Sequence, residues 1–218
     1  MNKTKTFWLG VVLGLVASCL FAGDLHAKGD VEKTLSPQNP LVVDKESGTV
    51  SFLAEVNGKY FFDSTRHAAV FKGGTNGDKG VFIGLVTPKA FYSALLEVGA
   101  KPGENMTPEN KEKTVVKGDL LDVTVTWKGA KKNYTLDQVI TDSNHKPIQV
   151  RFGGNMARAL KKNTGCLICL DSCPVGICSN ASYTYGAVET RGQVRFTGNK
   201  DVLPPDGTRV VISVKVKR

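Results

Sequence analysis

The chain is poor in the groups that enzymes use for general acid–base work. It has three histidines in 218 residues. His67 and His145 stand in separate turn-like contexts with no nucleophile beside them, so neither reads as a catalytic base. The carboxylates form no motif either. These absences exclude the hydrolase and transferase signatures and favour a carrier or binding protein over a catalyst. No period of roughly 20–50 residues recurs, which excludes a solenoid or a propeller. Lysine and arginine are scattered rather than set in a stripe with interleaved aromatics, so the formal charge of +9 does not point to nucleic acid. Residues 72–80, KGGTNGDKG, are glycine-rich but lack the G-x-x-x-x-G-K-[ST] order of a phosphate loop, and they read as a surface turn. Long apolar runs are missing apart from one near the start.

That run, residues 7–22, follows Lys3 and Lys5 and precedes Gly23-Asp24-Leu25-His26-Ala27, which is the charged, apolar and small-residue order of a secretory signal. Residues 1–27 are therefore expected to be a signal peptide cut after Ala27. A competing site is lipid attachment at Cys19, because Leu15-Val16-Ala17-Ser18-Cys19 resembles the lipobox of bacterial lipoproteins. Either route places the domain in the periplasm, with membrane contact only through the signal or a lipid anchor. No twin arginine precedes the run, so the general secretory route, which carries an unfolded chain, is expected. Residues 28–39 are polar and unpatterned, a flexible lead-in. Residues 40–218 then form a single domain, and the overall composition, 41% hydrophobic and 22% charged, is that of an ordinary globular protein.

Within the domain the pattern predicts an α+β fold, mainly β, built from antiparallel sheets. Residues 41–43 and 49–56 are β-rich runs separated by Glu46-Ser47-Gly48, and Asn57-Gly58 reads as a hairpin turn leading into residues 59–62, so a meander is expected. One full helix is predicted over about 88–98. Thr87 is its N-cap, Pro88 opens it, Phe91, Ala94, Leu95 and Val98 form its apolar face, and Gly99 stops it. Leu121, Val123, Val125 and Trp127 alternate with polar residues as a half-buried strand does. Residues 134–140, 148–152, 187–189, 193–197 and 209–216 read as further strands. Asn155 is placed as the cap of a short helix leading to the cysteines.

What is present in abundance is cysteine, in one place. Cys166, Cys169, Cys173 and Cys178 fall in the stretch NTGCLICLDSCPVGICSN, spaced C-x2-C-x3-C-P-x3-C. Such spacing lets one short loop supply four sulfurs to a zinc ion, another thiophilic metal, or an iron–sulfur cluster such as a four-iron centre. All four are candidate cofactor and metal ligands, inside an apolar shell of Leu167, Ile168, Leu170, Val175 and Ile177. Two other readings stay open: disulfides, because an exported chain meets an oxidising compartment, and a working dithiol at Cys166 and Cys169, although its thioredoxin-like βαβ setting is missing. Pro174 would open a turn that places Cys173 near a positive end, where a thiolate is favoured. An electron carrier with a redox partner protein is the leading function. A disulfide-stiffened binding module, with a ligand surface drawn from residues 73–80 and 151–155, is the alternative.

The portion from Cys166 to Pro174 partly resembles the ferredoxin run C-x2-C-x2-C-x3-C-P. Over most of its length the chain resembles the YdjY-like group of exported bacterial proteins. The residues carrying this are Phe71-Lys72-Gly73-Gly74, Asn76-Gly77-Asp78-Lys79, Ala94-Leu95-Leu96, Gly99-Ala100-Lys101-Pro102-Gly103, Asp122-Val123-Thr124-Val125-Thr126-Trp127 and the run from Cys166 to Gly176. The resemblance implies a ferredoxin-like label for the cysteine segment, no established activity, and a position at Cys178 that is not always cysteine.

Overall fold

Alternating apolar residues at the two ends of the domain build its central ladder. In the computed structural model, which describes residues 34–218, β1 (Leu41–Asp44), β2 (Thr49–Val56), β3 (His67–Phe71) and β4 (Gly80–Gly84) are followed by helix α1 (Pro88–Glu97). Next come β5 (Leu121–Trp127), β6 (Tyr134–Thr135), α2 (Leu136–Val139), β7 (Ile140–Asp142), β8 (Val150–Phe152) and α3 (Met156–Lys162). The chain ends with β9 (Cys166–Cys169), β10 (Cys178–Asn180), β11 (Phe196–Gly198) and β12 (Arg209–Val216). The expected signal, the cut after Ala27 and Cys19 lie outside the described residues. Of the lead-in, Leu35 is described and packs on Leu53 and Val211.

The main sheet runs β6-β5-β12-β2-β4-β3-β9-β10-β8, with β1 beside β2, while β7 and β11 form a separate pair. The sheet is mixed, which corrects the expectation of antiparallel sheets: β3 pairs with β4 in parallel, and so does β9 with β10. Residues 72–79 and 170–177 return the chain without a helix, so each next strand starts from the same end as the last. A meander fails for a related reason. The Gly58 amide donates to the Asp206 carboxylate at 2.7 Å and the Asn57 side chain to the Asp78 carbonyl at 2.9 Å. These distant partners draw residues 58–61 into a 3-10 turn, and β2 pairs instead with β12 and β4.

The sheet curls into a half-barrel, far enough for Arg151 in β8 to bridge Leu120 just ahead of β5. Its concave side holds the apolar faces read from the sequence: Leu121, Val123 and Val125 from β5, and Val210, Ile212, Val214 and Val216 from β12, are all buried. Helix α1 starts as predicted, with the Thr87 hydroxyl accepting from the Ala90 amide and Pro88 in the first turn. It lays Phe91 edge-on against Phe52, ring centroids 5.1 Å apart. Burying each of these phenyl rings stabilises the fold by roughly 1.5–3 kcal/mol over leaving it exposed. Elsewhere local signals gave way. Thr135 and Gln138 close a capping box, so the run expected as strand 134–140 breaks into a helical turn, and residues 187–189 lie in a turn instead of a strand.

Candidate metal centre

In a regular strand, residues three apart face opposite sides of the sheet. Cys166 and Cys169 escape this because the pairing of β9 with β3 shifts register twice, between His67 and Ala69 and again between Ala69 and Val70. The irregularity turns both thiols toward His67 on the neighbouring strand. Its Nδ1 lies 3.7 Å from Cys166 Sγ and 3.9 Å from Cys169 Sγ, and the three donor atoms fall within 4.8 Å of one another. All three residues are buried.

Cys173 follows on the return loop and joins the same buried cluster, with Val175 and Tyr185 packed against it. Its thiol lies near enough to those of Cys166 and Cys169 to shift their protonation, but outside the group of three donor atoms within 4.8 Å of one another. The loop holding it is tied by side chains. Asn155 does not cap α3; it sits in the left-handed region at φ 48° and spends its amide on the carbonyls of Cys173 and Gly176, at 3.1 and 3.2 Å. Ser179 Oγ accepts from the Cys173 amide at 3.2 Å. Cys178 is placed apart from this group. On β10 it pairs with Ile168 of β9, whereas Ser179 pairs with Cys169, and its side chain belongs to the hydrophobic core.

The glycine-rich segment, expected as a free surface turn, forms a wall of the site. The Thr75 and Asn76 amides donate to the carbonyls of Asn163 and Thr164 at 2.9 and 3.1 Å, and Asn76 Nδ2 reaches to 3.9 Å from Cys166 Sγ. Its outer side lines a surface cleft with Glu55 and Asp206. Arg151, from the other part of the imagined ligand surface, is engaged with the Gly118 carbonyl at 2.9 Å. His145 is exposed on a separate turn.

Electrostatics single out the three thiols. Donation from Cys169 and Cys173, then the Thr164 hydroxyl and the Arg66 charge, holds the Cys166 thiol well below its ordinary value in spite of burial. Cys169 and Cys173 are pushed up, chiefly by donating to Cys166 and then by burial. For Cys178, burial alone raises the thiol. Arg66 lies beneath the cluster. Burial opposes its charge, but Asp171 and the Cys173 and Cys169 sulfurs keep the guanidinium protonated. Nε and Nη2 both donate to Asp171 Oδ1, at 3.1 and 2.5 Å. Burial pushes the Asp171 carboxyl up to about 6 against the pull of Arg66, so the pair is ionic at neutral pH. Asp171 Oδ2 accepts from the Gly186 amide at 2.9 Å. That bond seats the loop carrying Tyr185, whose ring stacks on Arg66, 4.1 Å from the guanidinium carbon.

His67 is pushed down to about 4 by burial and then by Arg66, so it is a neutral donor at pH 7. In the unfolded chain it titrates near 6.5. The unfolded state therefore takes up the proton first as pH falls, and stability present above pH 6.5 is lost down to about pH 4. Urea unfolding of the metal-free protein should show this loss, about 3 kcal/mol relative to His67→Gln over that window. Parallel pH profiles for the two proteins would count against a buried neutral imidazole.

The donors suit a thiophilic ion. A tetrahedral centre with sulfur at about 2.3 Å and nitrogen at about 2.0–2.1 Å sets neighbouring donors roughly 3.5–3.8 Å apart, close to the spacings around His67. Thr164 Oγ1 is buried beside the cluster with no hydrogen bond of good geometry, and the Cys166 thiol is a polar group it acts on. Sequence reading missed His67, taking it for a turn residue. The signal was the run Ala68-Ala69-Val70-Phe71 after it, which marks a buried strand.

Fold and site together describe a β-rich protein carrying a buried histidine–cysteine group able to hold a metal. The YdjY domain model matches residues 41–215, and the chain belongs to the YdjY family. It is 53% identical over 212 residues to "Uncharacterized protein YdjY" of Escherichia coli (strain K12), a match covering 93% of this chain and 94% of that protein. No solved structure matches.

Proposed function

We propose that this is an exported protein in which His67, Cys166 and Cys169 hold a thiophilic metal ion that serves electron transfer with a partner protein. The observation carrying this is the convergence of one imidazole nitrogen on two thiols at 3.7 and 3.9 Å. Burial supports a carrier over a catalyst: the sulfurs are closed to a substrate, whereas an electron needs no opening. Export is supported by the charged, apolar and small-residue order of residues 1–27. No helix among the described residues is long and apolar enough to cross a membrane. In an oxidising compartment a bound metal would also protect adjacent thiols, which among the described residues are all free.

Protein purified anaerobically from the periplasm should carry a thiophilic metal at a fixed ratio. His67→Ala and Cys166→Ser should remove it, and a redox-active ion should give a reversible spectral change. Protein that is metal-free as isolated and takes up none after reduction would sink the reading. Because all four thiols are buried, alkylation in denaturant without reduction separates the other possibilities: no labelling of the four cysteines means disulfides, and full labelling means free thiols.

A further inference from the structure

We propose that Cys173 is the fourth donor, so that Cys166, Cys169, Cys173 and His67 enclose a single four-coordinate thiophilic ion, and that Cys178 takes no part. This rests on the metal-binding reading above and goes further, to the ligand set and the class of centre. Three observations carry it. Cys173 shares a buried cluster with Cys166 and Cys169, while Cys178 packs in the apolar core on the other face of β10. The Cys173 backbone is set by Asn155 and Ser179, both buried polar residues whose bonds position that loop and no other. The Cys173 thiol also lies near enough to Cys166 and Cys169 for the three to shift one another's protonation, just outside the His67–Cys166–Cys169 group whose donor atoms fall within 4.8 Å of one another. His67, Cys166 and Cys169 already have the separation of donors sharing one ion, and Cys173 has to close onto them when the ion binds; in a multi-iron cluster, iron and sulfide atoms lie between the cysteine sulfurs and hold them further apart.

The charges agree with one ion. Three thiolates and a neutral imidazole around a divalent cation leave one net negative charge, a small excess that the nearby Arg66 guanidinium can attract although its own charge is paired with Asp171. The Gly176 backbone completes the enclosure, since a Cβ there would come within 3.0 Å of Cys169 Sγ. With four donors supplied, no position is left for water or substrate, as in closed structural and electron-transfer sites.

Cobalt(II) is the probe. The full chain, reduced and loaded anaerobically, should bind one cobalt with a tetrahedral spectrum and a thiolate-to-cobalt charge-transfer band. That band should fall by about a third, one thiolate in three, in Cys173→Ser, and stay unchanged in Cys178→Ser. X-ray absorption on the wild-type protein, which needs no variant to fold, should count three sulfurs and one nitrogen. An unchanged band in Cys173→Ser, loss of the band in Cys178→Ser, or two or four sulfurs in the absorption data would overturn the proposal. Iron bound with equal acid-labile sulfide would overturn it too while leaving the metal-binding reading standing. Failure of wild type to bind cobalt, zinc or iron at all would overturn both.

Discussion

Asp171→Ala is expected to be among the most damaging single changes in the domain, lowering the unfolding free energy by about 3–5 kcal/mol. Asp171 is wholly buried, and Arg66 beneath the thiols is nearly so, with side-chain exposures of 0% and 7%. Removing the carboxylate strands a guanidinium whose remaining anionic partner is the exposed Glu189 at 3.8 Å. The same change frees the Gly186 amide, loosening the loop that presses Tyr185 onto Arg66. Urea unfolding should therefore show the loss in metal-free protein, and metal exchange should quicken in loaded protein. Asp171→Asn, which keeps an acceptor but not the charge, should fall between. A cost below about 1 kcal/mol would mean the pair is solvated like a surface bridge.

The second large effect is expected at Gly74. A Cβ built there meets the Gly165 Cα at 2.5 Å, the Gly165 nitrogen at 2.6 Å and the Thr164 carbonyl oxygen at 2.7 Å. All three are backbone atoms, so no side chain can swing aside. In Gly74→Ala the loop 72–79 must withdraw from residues 163–165, breaking the Thr75 and Asn76 amide bonds and pulling the Asn76 side chain off Cys166. Overpacking of this kind costs about 1–3 kcal/mol. Because the strain falls on the wall of the site, metal affinity should drop together with stability. Thermal unfolding and cobalt titration of the same sample read both. A variant with wild-type stability and affinity would show that the contact between the two loops is dispensable.

Some of this protein was legible without coordinates. The cysteine spacing named a site, Thr87-Pro88 named a helix start, and the alternation from Leu121 to Trp127 named a half-buried strand. Each is a local signal, resting on the two-residue period of a strand, the turn of a helix, or the bonding capacity of one side chain, and each survives whatever the rest of the chain does. Asn155 marks the limit of such signals. An amide before a helix is a fair cap by propensity, but the Cys173 and Gly176 carbonyls, buried and needing donors, claimed it instead.

Tertiary structure decided which residues gather at the site. His67 stands 99 positions from Cys166, and only the pairing of β3 with β9 brings them together. Whether a cysteine joins the group or the core depends on which face it takes. A register shift turned Cys169 inward with Cys166, while an unbroken pairing with Ile168 sent Cys178 into the hydrophobic interior. Strand partners, parallel or antiparallel sense, and register are set by contacts far apart in the chain. A one-residue slip reverses every side chain, and no local pattern records it. The sequence alone thus determined that four cysteines crowd between residues 166 and 178; the fold determined that a histidine stands with two of them and placed Cys178 in the core.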